Sequence, residues 1–172
     1  MEQCIKCVKD TISAFGGLDI IIANAGWTRF SDFNDLASMS DDEWNKCWMT
    51  NVMGPKKYVE AAMSTFNSNA EGGVVIITGS VAGQSLGGSS MPYSVTKAAQ
   101  IHMMKCVAKS QGPKLRINAV LPGLLLTDWG NQYGERIQVL TDAAALKQVV
   151  SVVCDLKMNV QQADVYSADG YQ

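Results

Sequence analysis

Tyr93-Ser94-Val95-Thr96-Lys97 is the stretch from which the rest of the sequence can be read. On a helix, residues four apart project from one face a turn apart, so the Lys97 ammonium can lie beside whatever the Tyr93 phenol touches. A free tyrosine titrates near pH ~10, and a fixed positive charge within roughly 4–6 Å favours the phenolate. Such a pairing would make Tyr93 a proton donor and acceptor near neutral pH. The same spacing also describes an exposed pair on an amphipathic helix, so the choice between the two falls to the surrounding residues.

Working outward, the helix that begins at Tyr93 extends to about Ser110, with Ala98, Ile101, Met104 and Val107 as a core stripe, and Gly112-Pro113 stops it. A glycine- and serine-rich loop precedes it, running from Gly79 to Pro92, and before that Val74-Val75-Ile76-Ile77-Thr78 reads as a buried strand. After it, residues 115–121 form another strand, closed by Pro122-Gly123. Toward the N-terminus, residues 18–23 are a near-continuous branched apolar run, the pattern of a parallel strand covered on both faces, ending at Asn24-Ala25-Gly26. Residues 4–15 carry Ile5, Val8, Ile12 and Phe15 at helical spacing and stop at Gly16-Gly17; residues 27–39 read as loop.

Ser40-Asp41-Asp42-Glu43 has the spacing of a capping box and opens a long helix to about Phe66. Gly54-Pro55 predicts a kink within it, because proline removes one backbone bond and crowds the preceding turn, and Asn51 sits just before that break. Residues 131–158 read as mostly helical, and Val165-Tyr166-Ser167 as a short fourth strand ahead of Asp169-Gly170. Strands alternating with helices, each strand ending in a polar, glycine-bearing loop, predict a doubly wound parallel α/β sheet with its ligand chemistry on the carboxyl edge.

Composition narrows the partners. The chain has 172 residues, 47% hydrophobic and 17% charged, with a formal net charge of −2, which suits one globular domain over residues 1–172. No basic stripe points to nucleic acid or an anionic membrane surface. The first residues lack the flanks and apolar core of a secretory signal, and no apolar run approaches the ~18 residues of a membrane span, so a cytoplasmic location is expected. Five scattered cysteines favour reduced thiols over a disulfide framework. Cys4 and Cys7 form one C-x-x-C, but no second pair follows and His102 is the sole histidine, so helix residues are expected there rather than a metal or redox site.

Taken together, the motifs resemble the short-chain dehydrogenase/reductase family in its compact form. They fall in the family's order: Asn24-Ala25-Gly26 after a strand, Asn51 in the next helix, Ser80 after the next strand, Tyr93 and Lys97 thirteen and seventeen residues beyond it, then Pro122-Gly123 with Thr127. The resemblance implies a Rossmann-like fold and NAD or NADP as cofactor. It also implies a small alcohol or carbonyl substrate and, in the full-length family form, a homo-oligomer. Asn51, Ser80, Tyr93 and Lys97 would be catalytic. Tyr93 would exchange a proton with the substrate oxygen while Lys97 lowers its pKa and bonds the nicotinamide ribose. Ser80 would hold the substrate oxygen, and Asn51 would hold a water linking Lys97 to solvent. Asn24, Ala25, Gly26, Pro122, Gly123 and Thr127, with Tyr93 and Lys97, would border the cofactor.

The same resemblance implies a gap. The family's phosphate-binding Thr-Gly-x-x-x-Gly-x-Gly turn would lie well before Cys4, and at roughly 30 residues per strand-crossover-strand unit the expected missing part is on the order of 60–90 residues, the first three strands. Residues 78–85 imitate that turn but end on Ser85 and stand in the serine-loop position. The sequence thus predicts an N-terminally truncated member with weakened pyrophosphate binding. The alternative is a catalytically silent fragment or non-enzymatic partner of family subunits. At the other end, residues 165–170 resemble the family's closing strand and Asp-Gly-Gly, with Tyr171 in place of the last glycine.

Overall fold

The computed structural model of the chain describes residues 1–144 and the strand at 165–167. Helix α1 (Glu2–Phe15) ends at Gly16, which takes the left-handed conformation (φ 77°) and bonds back to Ile12. Strand β1 (Ile20–Ala23) follows. Then come α2 (Asp41–Trp48), a π-helical turn (Met49–Met53) and α3 (Gly54–Ser68), which form one long rod. Strand β2 (Gly73–Thr78), a 3-10 turn (Val81–Gly83), α4 (Met91–Gln111) and β3 (Leu115–Leu121) complete the centre. A second 3-10 turn (Gly130–Tyr133), α5 (Arg136–Ala143) and β4 (Val165–Ser167) close the described chain.

The four strands are all parallel, in the order β1-β2-β3-β4. Register places Ile21, Val75 and Ile117 in one row and Ala23, Ile77 and Ala119 in the next, all on the same face. Val8 of α1, Val59, Ala62 and Phe66 of α3, and Ile101 and Met104 of α4 pack against these rows. Sequential strands joined by right-handed crossovers must carry their helices on one side, which accounts for this layer. The pattern at 18–23 predicts cover on both faces; within this chain one face is covered, while Ile20 and Ile22 on the other are 59% and 68% exposed. Phe15, expected in the stripe of α1, is likewise exposed.

The capping box at Ser40 forms as predicted, with the Ser40 hydroxyl accepting from the Glu43 N–H and the Glu43 carboxylate accepting from the Ser40 N–H. Glu43 also pairs with Arg29, and these bonds hold its carboxyl down to about 2. The kink predicted at Gly54-Pro55 takes a specific form. Pro55 has no N–H for the Asn51 carbonyl, and the backbone widens so that the Gly54 N–H reaches the Met49 carbonyl five residues back.

Helix α4 starts two residues earlier than predicted, at Met91, because Ser90 caps it by accepting from the Tyr93 N–H at 3.3 Å. Residues 145–164 and 168–172, with the helical expectation over 145–158 and the Asp169-Gly170 ending, lie outside the described residues.

Candidate active site

Parallel strands put their carboxyl ends on one edge, so the segments after Ala23, Thr78 and Leu121 converge there. A cavity of about 670 Å³ opens between the last two, lined by Ser80, Tyr93, Pro122, Gly123 and Thr127 among the residues predicted from sequence. Lys97 and Asn51 stand behind this lining, 2% and 0% exposed. Asn24, Ala25 and Gly26 lie exposed on the adjoining loop and do not line the cavity.

Ser80 is fixed by its own turn, since its hydroxyl accepts from the Ala82 N–H at 3.1 Å as the cap of the 3-10 helix. Tyr93 comes up beside it from the first turn of α4, and both line the cavity. Residues 78–85 therefore form a serine loop closed by a short 3-10 turn, with no helix opening directly on them as a phosphate loop requires.

Burial pushes the Tyr93 phenol up from its ordinary value, against a lowering pull from Ser80 and with Tyr133 and Cys47 adding to the rise. Lys97 is not among the groups that shift it. The Lys97 Nζ lies 5.5 Å from the Tyr93 ring centroid, but it spends its charge on other partners. It donates to the Thr78 carbonyl at 2.7 Å and to Gln100 Oε1 at 3.3 Å. Desolvation lowers Lys97 to about 8, with the facing Cys47 thiol opposing the fall. Gly26 leaves room beside this ammonium, for a Cβ there would stand 3.7 Å from Nζ and 3.5 Å from Asn51 Oδ1.

The lowered lysine makes a stability prediction. Between its folded value of about 8 and its unfolded value near 10.5, the unfolded chain holds a proton that the folded chain has released, so stability rises with pH across that window. Relative to Lys97→Met, the wild-type chain should gain about 2–3 kcal/mol between pH ~7 and ~10 in urea unfolding. An equal pH response in both chains would count against a buried, charged Lys97.

Asn51 ties the site to the first loop. Its Oδ1 accepts from the Trp27 N–H at 2.8 Å, and its Nδ2 donates to the Trp27 carbonyl at 3.0 Å and to Thr96 Oγ1 at 2.9 Å. The Cys47 thiol donates to the same Trp27 carbonyl at 3.3 Å. The Asn51 carbonyl also accepts from Gln100 Nε2 at 2.7 Å.

The outer wall was not read from the sequence. Phe30 stacks on Trp129 with centroids 4.9 Å apart and meets Tyr133 edge-on at 4.8 Å, joining the loop after β1 to the segment after β3. Leu124, Leu125 and Leu140 add apolar surface, and Arg136 is the one charged residue in the lining among the described residues. Thr127 turns its hydroxyl to the Gly130 N–H at 3.2 Å. Aromatics a hundred residues apart carry no pairing signal, but Gln100 had one: three residues past Lys97, it shares the helix face that paired Lys97 with Tyr93.

The profile of the short chain dehydrogenase family matches residues 1–138. The chain belongs to that family. Its short-chain dehydrogenase relatives include a dehydrogenase/reductase SDR family member 4 of Rattus norvegicus, 32% identical over 131 residues, or 76% of this chain and 46% of that protein. An L-rhamnose 1-dehydrogenase (NAD(P)(+)) of Azotobacter vinelandii is 34% identical over 124 residues, 72% of this chain and 47% of that protein. An NADP-dependent mannitol dehydrogenase of Alternaria alternata is 32% identical over 140 residues, covering 80% and 51%. The chain spans about half the length of the curated relatives it matches.

The fold is shared with solved structures. ElxO with NADP bound superposes with a TM-score of 0.82 at 23% identity, over 98% of this chain and 73% of the other. A 7α-hydroxysteroid dehydrogenase complexed with NADH and 7-oxo glycochenodeoxycholic acid gives 0.83 at 20% identity, over 98% and 69%. The Rossmann-like parallel sheet expected from sequence is thereby established.

Proposed function

We propose that this chain carries the proton-transfer side of an NAD(P)-dependent oxidoreductase that interconverts an alcohol and a carbonyl compound. The observation that carries this reading is that Ser80 and Tyr93 share the cavity wall, with the Lys97 ammonium buried behind it 5.5 Å from the Tyr93 ring centroid. The named relatives support it, among them enzymes acting with NADP or NAD(P).

In this reading the substrate oxygen enters between the Ser80 hydroxyl and the Tyr93 phenol. Ser80 donates a hydrogen bond to the charge that develops there, and Tyr93 gives its proton during reduction or removes one during oxidation. A phenol held protonated by burial suits the donor role. The apolar walls keep water from the reacting atoms.

The residues present fit a nicotinamide nucleotide on one side: Gly26 keeps the face of Lys97 clear, and Pro122, Gly123 and Thr127 border the cavity beside Tyr93. Bound there, the cofactor supplies or accepts the hydride. Lys97, with one N–H beyond its two protein bonds, would hold the ribose. The Asn24–Gly26 loop would face the rest of the nucleotide.

The test is cofactor oxidation by the purified chain with a panel of ketones and aldehydes, at NADH or NADPH up to millimolar levels. Consumption should require both cofactor and carbonyl compound and should fall about 10²–10³-fold in Ser80→Ala. Absence of carbonyl-dependent consumption with either nucleotide sinks the reading.

A further inference from the structure

Proton transfer at Ser80 and Tyr93 gives no part to Arg136, the first residue of α5. Its side chain lines the cavity, and no aspartate or glutamate among the described residues does. Arg136 makes no ion pair among the described residues. The positions one helical turn away hold Gln132, Tyr133, Val139 and Leu140, none of them acidic. Nor does the charge support its own helix, since a cation in the first turn opposes the helix dipole, which favours carboxylates at that end. What holds Arg136 is Tyr133, whose ring centroid lies 5.7 Å from the guanidinium carbon. Seated over a ring, a guanidinium keeps N–H donors at its edge for a planar anion.

We propose that Arg136 determines specificity: the substrate carries a carboxylate, held by the guanidinium, at the far end of an apolar body that lies along Trp129, Tyr133 and Leu140. The proposal rests on the oxidoreductase reading for the carbonyl end and on the cavity for the acid end. Tyr133 stands between the two ends. It is near enough to Tyr93 to raise the titration of that phenol, and it carries Arg136 over its own ring. The carbonyl and the carboxylate are therefore separated by at least the span of a ring. That separation excludes α-oxo acids, whose two groups are adjacent, and selects an acid group several carbons from the carbonyl. The aromatic and leucine walls suit the intervening hydrocarbon, and the ligand brings the negative charge that the lining lacks. A neutral ketone of the same shape would leave the guanidinium to water.

The test is binding, read without turnover. The purified chain is titrated with benzoylbutyrate, an aryl ketone with a terminal carboxylate, and with its methyl ester, while heteronuclear NMR follows the indole N–H of Trp129 in the cavity wall. Wild type should bind the acid about tenfold more tightly than the ester. That preference should fall by at least about fivefold in Arg136→Gln, survive in part in Arg136→Lys, and shrink as salt is added. Arg136 is exposed and lies outside the hydrophobic core, so both variants should keep the fold.

Equal affinity for acid and ester in wild type, no response to either at millimolar levels, or a preference unchanged in Arg136→Gln each overturns the proposal. So does NADPH that displaces the acid but not the ester, because Arg136 would then belong to the phosphates of the nucleotide. The two readings separate cleanly. A preference for the acid in a chain that consumes no cofactor keeps Arg136 as the anion site and removes the oxidoreductase reading. Cofactor consumed equally well with acid and ester keeps the oxidoreductase and removes the role of Arg136.

Discussion

Tyr93→Phe should reduce turnover by about 10²–10⁴-fold while leaving the fold and the substrate KM nearly unchanged. The substitution removes one oxygen. The ring remains at the N-terminal end of α4, whose cap uses the Ser90 hydroxyl and the backbone N–H of residue 93, neither of which depends on the phenol. What is lost is the hydroxyl at the cavity wall that we propose as the proton donor. The pH dependence should agree in sign. With the phenol pushed up by burial, the protonated form persists through neutrality, so carbonyl reduction holds steady there and falls only as pH approaches the raised value. Alcohol oxidation, which needs the phenolate, should climb with pH over the same range. Steady-state kinetics in both directions, with thermal unfolding as a control, checks both statements. Turnover retained in Tyr93→Phe would remove this residue from the chemistry.

Gly83→Ala should damage both stability and catalysis, although residue 83 touches no substrate. A Cβ on Gly83 would sit 2.7 Å from the Lys97 carbonyl carbon and 2.9 Å from its oxygen. The Ile101 methyl, also 2.9 Å away, can rotate aside, but a helix backbone cannot. Either the 3-10 turn lifts away from α4 or α4 shifts, and both moves separate Ser80 from Tyr93, because the Gly83 N–H is bonded to the Ser80 carbonyl at 3.0 Å. Overpacking of this kind costs about 1–3 kcal/mol. The companion variant Gly87→Ala meets nothing within 4 Å and should behave as wild type. Calorimetry together with turnover of the two variants distinguishes a contact effect from a general intolerance of alanine in this loop.

Much of the framework was legible because it rests on local signals. Branched apolar runs marked β2 and β3, serine with glutamate at capping spacing marked the start of α2, and the residues at 165–167 read correctly as a strand. Strands ending in glycine-bearing loops pointed to the carboxyl edge, where the fold brings Ser80 and Tyr93 together on one cavity. Illegible features depend on what lies across space. A proline predicts a break but not which hydrogen-bond pattern repairs it, so the π-turn appeared only in the fold. Charge spacing predicts an ion near the Tyr93 ring, yet burial decides the direction of its titration, and burial belongs to the packed state. Trp27, whose backbone serves Asn51, and Phe30, which builds the aromatic wall, lie in a stretch whose sequence says only loop.

The π-turn also governs how the chain can change length. The i→i+5 bonds of a π-turn take up one extra residue within about one turn, so α2 and α3 keep nearly the phase of one continuous helix on either side of it. Deleting a position ahead of Asn51 within this turn would therefore leave Val59, Ala62 and Phe66 against the sheet. The loss would fall on the site instead, because Asn51 would move away from Trp27 and Thr96 while Pro55 still denied its own α-helical bond. The spare residue belongs to the site rather than to the core, which separates what a deletion here does to function from what it does to stability.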